Sequence, residues 1–477
     1  MLHFRLNYKR FNLRWAVPFI WSYSMQRTGF VAKIIDIAVT LYVAAGFGIF
    51  LSVADNYMRK SGMLPVPPTV GAVVFLTSIV GFVLLKDTIY KRPTAAMGLL
   101  LRANSPVIFP FFMLAFLSLA LAIHPTAFWG DGRKWIYLQT YDFFIFLTAS
   151  LLPAITLIRT RFRFFVIVGL LTILGSIWYE VEYPGTYSSV PTRASGFPGN
   201  SNFGALVTVM ICSMSLGYRD GKSRALDMVI LAITGLGLYF TFSRSGMINF
   251  VMLISFYVGF AMLSGKDRLK TGLTVGGGIA GLVTFFLLVV PLISESSNLT
   301  SGSSKTQNRL LALFDGELVD DGSAADRIEA ARETLDRIEA SPLIGHGTGF
   351  NRKMRQTPHN LYLKLWVDSG IFGVLTWLSL LGCGFWMFSS RQYRPGQALV
   401  IATFLGGFFS HNILEQRTFL FLFGTAASMS LYEAASRVAT RNKIQANDVT
   451  SSLVRLMPEQ FEEPLKKASG EVSSRKH

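Results

Sequence analysis

Charge is scarce in this chain. Only 15% of its 477 residues are Asp, Glu, Lys or Arg, against about 25% in an ordinary soluble domain, and that shortfall argues against a water-soluble globule. Cysteine is scarcer still. Cys212 and Cys383 are the only two, and each lies inside an apolar run, so no disulfide framework can be read and thiol redox chemistry is not expected. No small-residue cleavage site closes the first apolar run. The basic N-terminus with Arg5, Lys9, Arg10 and Arg14 therefore reads as the flank of a retained anchor, not of a removable signal peptide. A Gly-rich phosphate loop after a strand is also missing, and with it the expectation of a nucleotide-sugar site.

What is abundant is apolar surface. Hydrophobic residues make up 51% of the chain and mean hydropathy is +0.42, more than cores alone can absorb. Spanning a bilayer takes about 20 apolar residues per helix. About twelve runs meet that demand, near 33–54, 69–85, 106–123, 135–158, 164–179, 202–218, 225–242, 245–263, 272–293, 361–389, 398–410 and 418–433. The expected fold is an all-α polytopic membrane protein of about twelve transmembrane helices with one large outward loop. Residues 1–293 hold the first nine helices, 294–359 the loop with an amphipathic helix, 360–436 the last three helices, and 437–477 a flexible cytoplasmic tail.

The net charge of +17 punctuates the apolar runs and does not stripe one surface. Basic residues such as Lys86, Arg92, Arg102, Arg159, Arg161, Arg163, Arg219, Arg224, Arg268, Arg391 and Arg394 fall in alternate short connectors. They place both termini on the cytoplasmic side. No nucleic-acid partner is expected, because no basic stripe with stacking aromatics occurs. In the outward loop, Ser323 and Asp326 have capping-box spacing, and Ile328, Ala331, Leu335 and Ile338 form a helical stripe expected to lie against the bundle.

Polar groups at the outer ends of helices are the informative ones, since an arginine at mid-membrane costs about 2.5–3.5 kcal/mol. Three outward segments stand out. TRASGFPGNSNFG brings Arg193 to the membrane boundary before the sixth run. FTFSRSG leaves Arg244 between two apolar runs with almost no connector. SPLIGHGTGFNRKMRQTPHNLYLKL ends the loop and sets His359 before the tenth run, with His346 among glycines. Taken singly, each has a bland account: Arg244 as a headgroup anchor, Arg193 as a loop residue, His359 as a helix cap. Arg417, in the turn HNILEQR with His411 and Glu415, reads equally as an anchor or as a member of a phosphate site. Lys364 and Asp368, four apart, are expected to neutralise each other. The acidic stretch 315–321 lacks calcium-loop spacing, so no metal is expected. Asp36 and Asp142 would be the candidates for a transporter, a class set lower because no matching repeat accompanies them.

The topology, the RASGFPGNSN turn, the SRSG between adjacent helices and the SPLIGHGTGF to PHNLYLKLWVDSGIFG block together resemble the O-antigen ligase and polymerase superfamily of bacterial inner-membrane glycosyltransferases, over about residues 30–435. The resemblance implies transfer of glycan from undecaprenyl diphosphate to an acceptor hydroxyl on the periplasmic side, with the large loop periplasmic and no cofactor. The acceptor would be the lipid A core for a ligase or a lipid-linked repeat for a polymerase, with membrane lipids around the site. It also implies that His359 matches the family's essential histidine and that Arg193 and Arg244 match its two periplasmic arginines. The chemistry suits these residue types: always-charged planar forks for a departing diphosphate, and an imidazole to take the acceptor's proton. One dominant loop favours a ligase. A polymerase, a protein O-oligosaccharyltransferase and a polysaccharide transporter or flippase are the alternatives.

Overall fold

The computed structural model describes residues 30–90, 93–127, 132–188, 193–218, 224–264, 276–277 and 322–456. The described residues form helices and short connecting turns, with no strand among them. In chain order the helices are α1 Phe30–Leu51, α2 Ala54–Lys60, α3 Pro68–Tyr90, α4 Pro93–Ala120, α5 Gly132–Leu151, α6 Thr156–Glu182, α7 Ser201–Ser215, α8 Arg224–Thr241 and α9 Arg244–Ser264. They continue with α10 Gly322–Ala340, α11 Leu361–Ser390, α12 Arg394–Gly406 and α13 Arg417–Leu456. The ninth expected run, 272–293, lies outside the described residues apart from 276–277, as does the acidic stretch 315–321. The other expected runs fall mostly on helices, but 135–158 crosses the break at Ile155 between α5 and α6.

Five helical stretches among the described residues are long and apolar enough to cross a membrane, in α4, α6, α8, α9 and α11, or six if α1 and α2, bent by 78° at their break, form one span. Three shorter apolar helices, Val70–Ile79, Thr140–Ala154 and Ser201–Ser215, accompany them. Large apolar side chains face outward, among them Leu41, Phe109, Phe116, Val251 and Phe372. A soluble monomer rarely exposes so many. Length, composition and that outer girdle define a multi-pass membrane protein.

The chain divides into two units, residues 29–430, and residues 1–28 with 431–477. In the second, 431–456 are described and helical, so the helix runs past the boundary expected at 436. No Gly or Pro interrupts it between Gly424 and Pro458, and Glu433 and Arg437 pair across one turn at 3.5 Å. In the first unit α6 packs against α1, α7 and α8, while α12 packs against α7, α9 and α11. α7 is buried on nearly every side. Its hydroxyls turn inward onto its own carbonyls, Thr208 to Gly204 at 2.8 Å and Ser213 to Met210 at 2.7 Å, as a polar side chain must where water is absent. Stacked and edge-on phenylalanines fill the centre: Phe47 meets Phe421 at 4.8 Å, and Phe111 meets Phe146 at 4.7 Å.

α11 is broken at Gly370, whose φ of 63° and ψ of −167° leave the helix. The break frees the carbonyls of Val367 and Asp368, and these accept the N–H groups of His346 and Gly347, both at 2.9 Å, while Ile371 N–H donates to Pro342 O at 3.0 Å. A Cβ at Gly370 would lie 2.0 Å from Leu343 O, so only glycine admits this splice. The SPLIGHG segment is thus built into the broken helix. α10 also differs from expectation. Its buried line is Ala330, Thr334 and Ile338 against α11, while Ile328 and Leu335 of the expected stripe are exposed. Small Ala330 and Thr334 let α10 approach closely, and Thr334 satisfies its hydroxyl on Ala330 O at 2.6 Å. The side chains of Ser323 and Asp326 lie outside the described residues.

Candidate functional site

Helix ends meet at two poles of the first unit, and the expected site residues all fall at one of them. α8 ends at Thr241 and α9 begins at Arg244, so the reversal has only two residues. Phe242 takes a φ of 46°, a left-handed conformation that a bulky residue adopts only at a cost of about 1–3 kcal/mol. Ser243 makes the restart possible: its Oγ accepts Gly246 N–H at 3.2 Å, an N-cap that satisfies one of the free donors of α9. Arg244 is then the first residue of α9. A Cβ at Gly246 would lie 2.4 Å from Ala205 Cβ, so this helix start is pressed against the start of α7.

Arg193 is bound to the same turn. Its Nε donates to Thr241 O at 3.2 Å, and Nη2 donates to Phe242 O at 3.2 Å and to Asn202 Oδ1 at 3.1 Å. Asn202 Oδ1 also accepts from Ser243 Oγ at 2.9 Å. Asn202 lies in the first turn of α7, whose start is capped by Asn200 Oδ1 accepting from the N–H groups of Asn202 and Phe203 at 3.0 and 3.2 Å. The structure therefore brings Arg193 and Arg244 together, at the N-termini of α7 and α9. One group stands out there. Nη2 of Arg244 is buried and has no hydrogen-bond partner among the described residues. Helix N-termini carry partial positive charge, so two guanidinium groups beside two of them make a place suited to an anion.

The loop that carries Arg193 is fixed by a residue sequence reading passed over. Glu180, fully buried near the end of α6, accepts the N–H groups of Tyr187 at 3.0 Å, Ser188, Ser195 at 2.6 Å and Gly196 at 2.9 Å, and the Ser195 hydroxyl at 3.2 Å. A carboxylate taking several N–H donors needs no cation to be satisfied. The available signal was a pair of carboxylates, Glu180 and Glu182, ending an apolar run just before a Gly/Pro-rich turn.

His359 stands at the entry to α11, where Asn360 caps the helix by accepting from Tyr362 and Leu363 N–H at 2.8 and 3.2 Å. Leu361 N–H donates to Gly407 O at 2.8 Å, tying that entry to the end of α12. The His359 ring meets His411 edge-on, with centroids 5.4 Å apart. Partial burial, and then the charge of Arg327, lower the His359 pKa below its ordinary value. His411 is pushed down to about 3 by burial first, then by Lys364, His359 and Arg352. Both shifts favour the neutral imidazole. α7, which follows the Arg193 loop, α9, which begins at Arg244, and α11, which follows His359, share α12 as a packing partner, and this is how the structure relates the histidine pair to the arginine turn.

Arg417 is placed otherwise than its phosphate-binding expectation. Its guanidinium is buried, with Nη1 2.6 Å from Asp55 Oδ2 and Nη2 donating to Asp55 Oδ1 at 3.0 Å and Asn56 Oδ1 at 3.1 Å, so the fork is occupied within the protein. Lys364 likewise pairs with Glu415 at 2.5 Å, not with Asp368, which accepts both Asn351 N–H at 2.8 Å and Asn351 Nδ2 at 2.5 Å. The two lie four apart, but the loop supplies Asp368 with donors and Lys364 turns to the last hairpin. Asp142, also buried, lies within electrostatic reach of Glu415, Arg417 and Lys364. His346 Nε2 donates to Arg337 O at 2.7 Å and the ring stacks on Phe350, a structural setting. Asp36 pairs with Arg161 at 3.0 Å at the opposite pole. Among the described residues no group of three His, Cys, Asp or Glu side chains is placed to hold a metal ion.

These features define an all-helical, multi-pass membrane protein with paired arginines where two helices start. Residues 229–378, from α8 into α11 and including Arg244 and His359, match the O-antigen ligase family. The chain is also similar to an O-antigen polymerase of Salmonella muenchen, 21% identical over 212 residues, which cover 41% of this chain and 49% of that protein. The matched region thus spans about half the length of that relative. Together the two matches support the O-antigen ligase and polymerase superfamily.

Proposed function

We propose that the chain is a glycosyltransferase of the bacterial inner membrane that moves glycan from undecaprenyl diphosphate to an acceptor hydroxyl on the periplasmic side, acting as an O-antigen ligase on the lipid A core. The observation that carries this reading is the two-residue turn that joins Arg193 and Arg244 at two helix starts and leaves one Arg244 nitrogen buried with no partner among the described residues. A departing diphosphate supplies the anion that such a place lacks. Arg193 and Arg244 hold its oxygens as the bond from the anomeric carbon to phosphate oxygen breaks, and fixed donors stabilise the charge that develops there. His359 accepts the proton of the acceptor hydroxyl as that oxygen forms the new bond to the anomeric carbon. Arg417 acts as a positioning group through Asp55, not as a diphosphate ligand. The architecture proposed with it is about twelve spans, cytoplasmic termini, the long loop 294–359 in the periplasm, and a reaction without metal or cofactor.

A second reading, a polymerase that extends a lipid-linked repeat, is favoured by the similarity to the O-antigen polymerase of Salmonella muenchen. One experiment separates the two and tests the base. The purified full chain in lipid receives undecaprenyl-diphosphate glycan with lipid A core in one arm and with further lipid-linked repeat in the other, both with a chelator. Modified core supports the ligase, and a lengthened repeat the polymerase. His359→Ala is expected to stop either transfer. The base works only when neutral, so the wild-type rate falls as pH drops through the His359 pKa, and its lowered value puts that acid limb below pH 6.5. Undiminished turnover in His359→Ala overturns the base assignment, and inhibition by chelator overturns the metal-free reaction.

A further inference from the structure

Five aromatic rings gather where α6 ends, and holding a diphosphate uses none of them. Tyr57 of α2 meets Tyr187 edge-on with centroids 4.7 Å apart and lies 5.8 Å from Phe197, and Tyr187 lies 5.0 Å from Phe197. Tyr179 of α6 lies 6.1 Å from Tyr187 and 4.7 Å from Tyr183. These rings come from three separate stretches of chain, so helical periodicity alone does not assemble them. Tyr57, Tyr187 and Phe197 are half-buried and form a backing. Tyr179 and Tyr183 are 47% and 59% exposed and tilted 38° to one another, so the pair forms the outer side of the cluster.

The cluster is mechanically continuous with the arginine turn. The Glu180 carboxylate that fixes Ser195 and Gly196, beside Arg193, takes the N–H groups of Tyr187 and Ser188 on its other oxygen. Rings and guanidinium are therefore braced by one buried group. We propose that Tyr179 and Tyr183, backed by Tyr57, Tyr187 and Phe197, are a platform on which a sugar ring of the donor glycan stacks while Arg193 and Arg244 hold its diphosphate. This rests on the transfer reading above and names how the sugar portion is gripped.

The chemistry selects a sugar. A pyranose presents a patch of C–H bonds on its face and hydroxyls around its rim, and an aromatic face is electron-rich where those C–H bonds are electron-poor. Tyrosine adds a hydroxyl at the wet edge of an apolar body, matching the rim. Burial, and then Tyr57, Tyr179 and Glu180, push the Tyr187 hydroxyl up to about 12, so it stays protonated and able to donate. Interfacial tyrosines also anchor membrane helices. An anchor needs only one ring at the headgroup level, whereas here five pack against one another next to the arginine turn.

The test uses the full chain in lipid nanodiscs and two probes that share tail and diphosphate: undecaprenyl diphosphate without sugar, and the same lipid carrying glycan. Wild type is expected to bind the glycosylated probe about tenfold more tightly, a difference of about 1.4 kcal/mol. Tyr179→Ala with Tyr183→Ala should bring that affinity down to the level of the sugar-free probe, whose own binding is the internal control for folding. Tyr179→Phe with Tyr183→Phe keeps the ring faces and should retain the preference within about threefold. Equal losses on both probes, or a wild type without preference, overturn the platform. A wild type that prefers the glycosylated probe but transfers to no acceptor overturns the transfer reading and leaves the platform standing.

Discussion

The two poles of the helix bundle both collect arginines, and they use them differently. At the far pole Arg163 donates to Ser215 O at 2.7 Å, the carbonyl end of α7, and pairs with buried Asp227. Arg391 donates to the carbonyls of Ala103 at 2.5 Å and Ala427 at 3.0 Å, and Arg394 bonds Gln397 at 2.9 Å while covering Phe260. Arg163 at the last carbonyl of α7 and Arg391 just past the end of α11 lie where the helix dipole favours a cation, whereas Arg394 is the first residue of α12. At the other pole Arg244 starts a helix, where the dipole opposes it, and one of its nitrogens is buried without a partner among the described residues. Because Arg394 also starts a helix, the contrast lies in the partners and not in helix polarity: the far arginines bond to protein acceptors, whereas Arg244 keeps one buried nitrogen with no partner among the described residues.

Arg417 is the exception at the site pole, and it offers the largest test. Its fork is closed by Asp55 and Asn56. Removing one member of a buried pair leaves the other uncompensated, at about 3–5 kcal/mol. Arg417→Ala is therefore expected to lower thermal stability strongly. Replacing Arg417 and Asp55 together by apolar residues of similar size should restore most of that loss while leaving diphosphate binding measurable. If Arg417→Ala keeps full stability but loses the donor, Arg417 belongs with Arg193 and Arg244 after all.

Arg193→Lys and Arg244→Lys come next. Lysine keeps the charge but not the planar fork, and loss of a preorganised donor to developing charge costs about 2.7–4 kcal/mol, a rate factor of about a hundred to a thousand. Each variant should fold normally, by melting in lipid, and lose transfer by that factor. Near-normal rates in both would make the site pole no different from the far one.

Much of this contrast was legible in the sequence, because membrane helices are written as apolar runs and their polar interruptions stand out. The two-residue FS connector before Arg244 alone forced a tight reversal at membrane level. What stayed hidden depends on partners distant in sequence. Arg417 meets Asp55 across 362 positions, and nothing in HNILEQR tells an anchored arginine from a free one. Lys364 and Asp368 share a helix face, yet loop residue Asn351 and hairpin residue Glu415 outbid the local pair. In α10 the larger side chains suggested the packed stripe, whereas close approach to α11 selected the small Ala330 and Thr334.

Glu180 tests the rigidity of the site pole at a smaller scale. Glu180→Gln keeps the shape but turns an acceptor oxygen into an NH2 group facing backbone N–H donors. A buried group left unsatisfied costs about 1–3 kcal/mol. Transfer should fall more than stability does, because the loop holding Arg193 loses its brace. A loss of stability with an unaltered rate per folded molecule would show that the brace serves folding alone.

The smallest effect is expected at the far pole, and it checks the comparison from the other side. Arg161 and Asp36 form an ion pair at 3.0 Å with both side chains nearly half exposed, 43% and 48%, and Arg161 Nη1 also donates to Thr40 Oγ1 at 2.6 Å. Solvent and headgroups screen such a pair, so it contributes about 0–1 kcal/mol. Arg161→Ala should therefore shift the melting temperature little and leave the transfer rate unchanged, even though it removes as much formal charge as Arg244→Ala does at the site pole. Unequal consequence from equal formal charge is expected because Arg161 is half-exposed and paired, whereas Arg244 keeps a buried nitrogen with no partner among the described residues. Should Arg161→Ala abolish transfer in a folded protein, the far arginines would have to share the chemistry, and the two poles would no longer differ in kind.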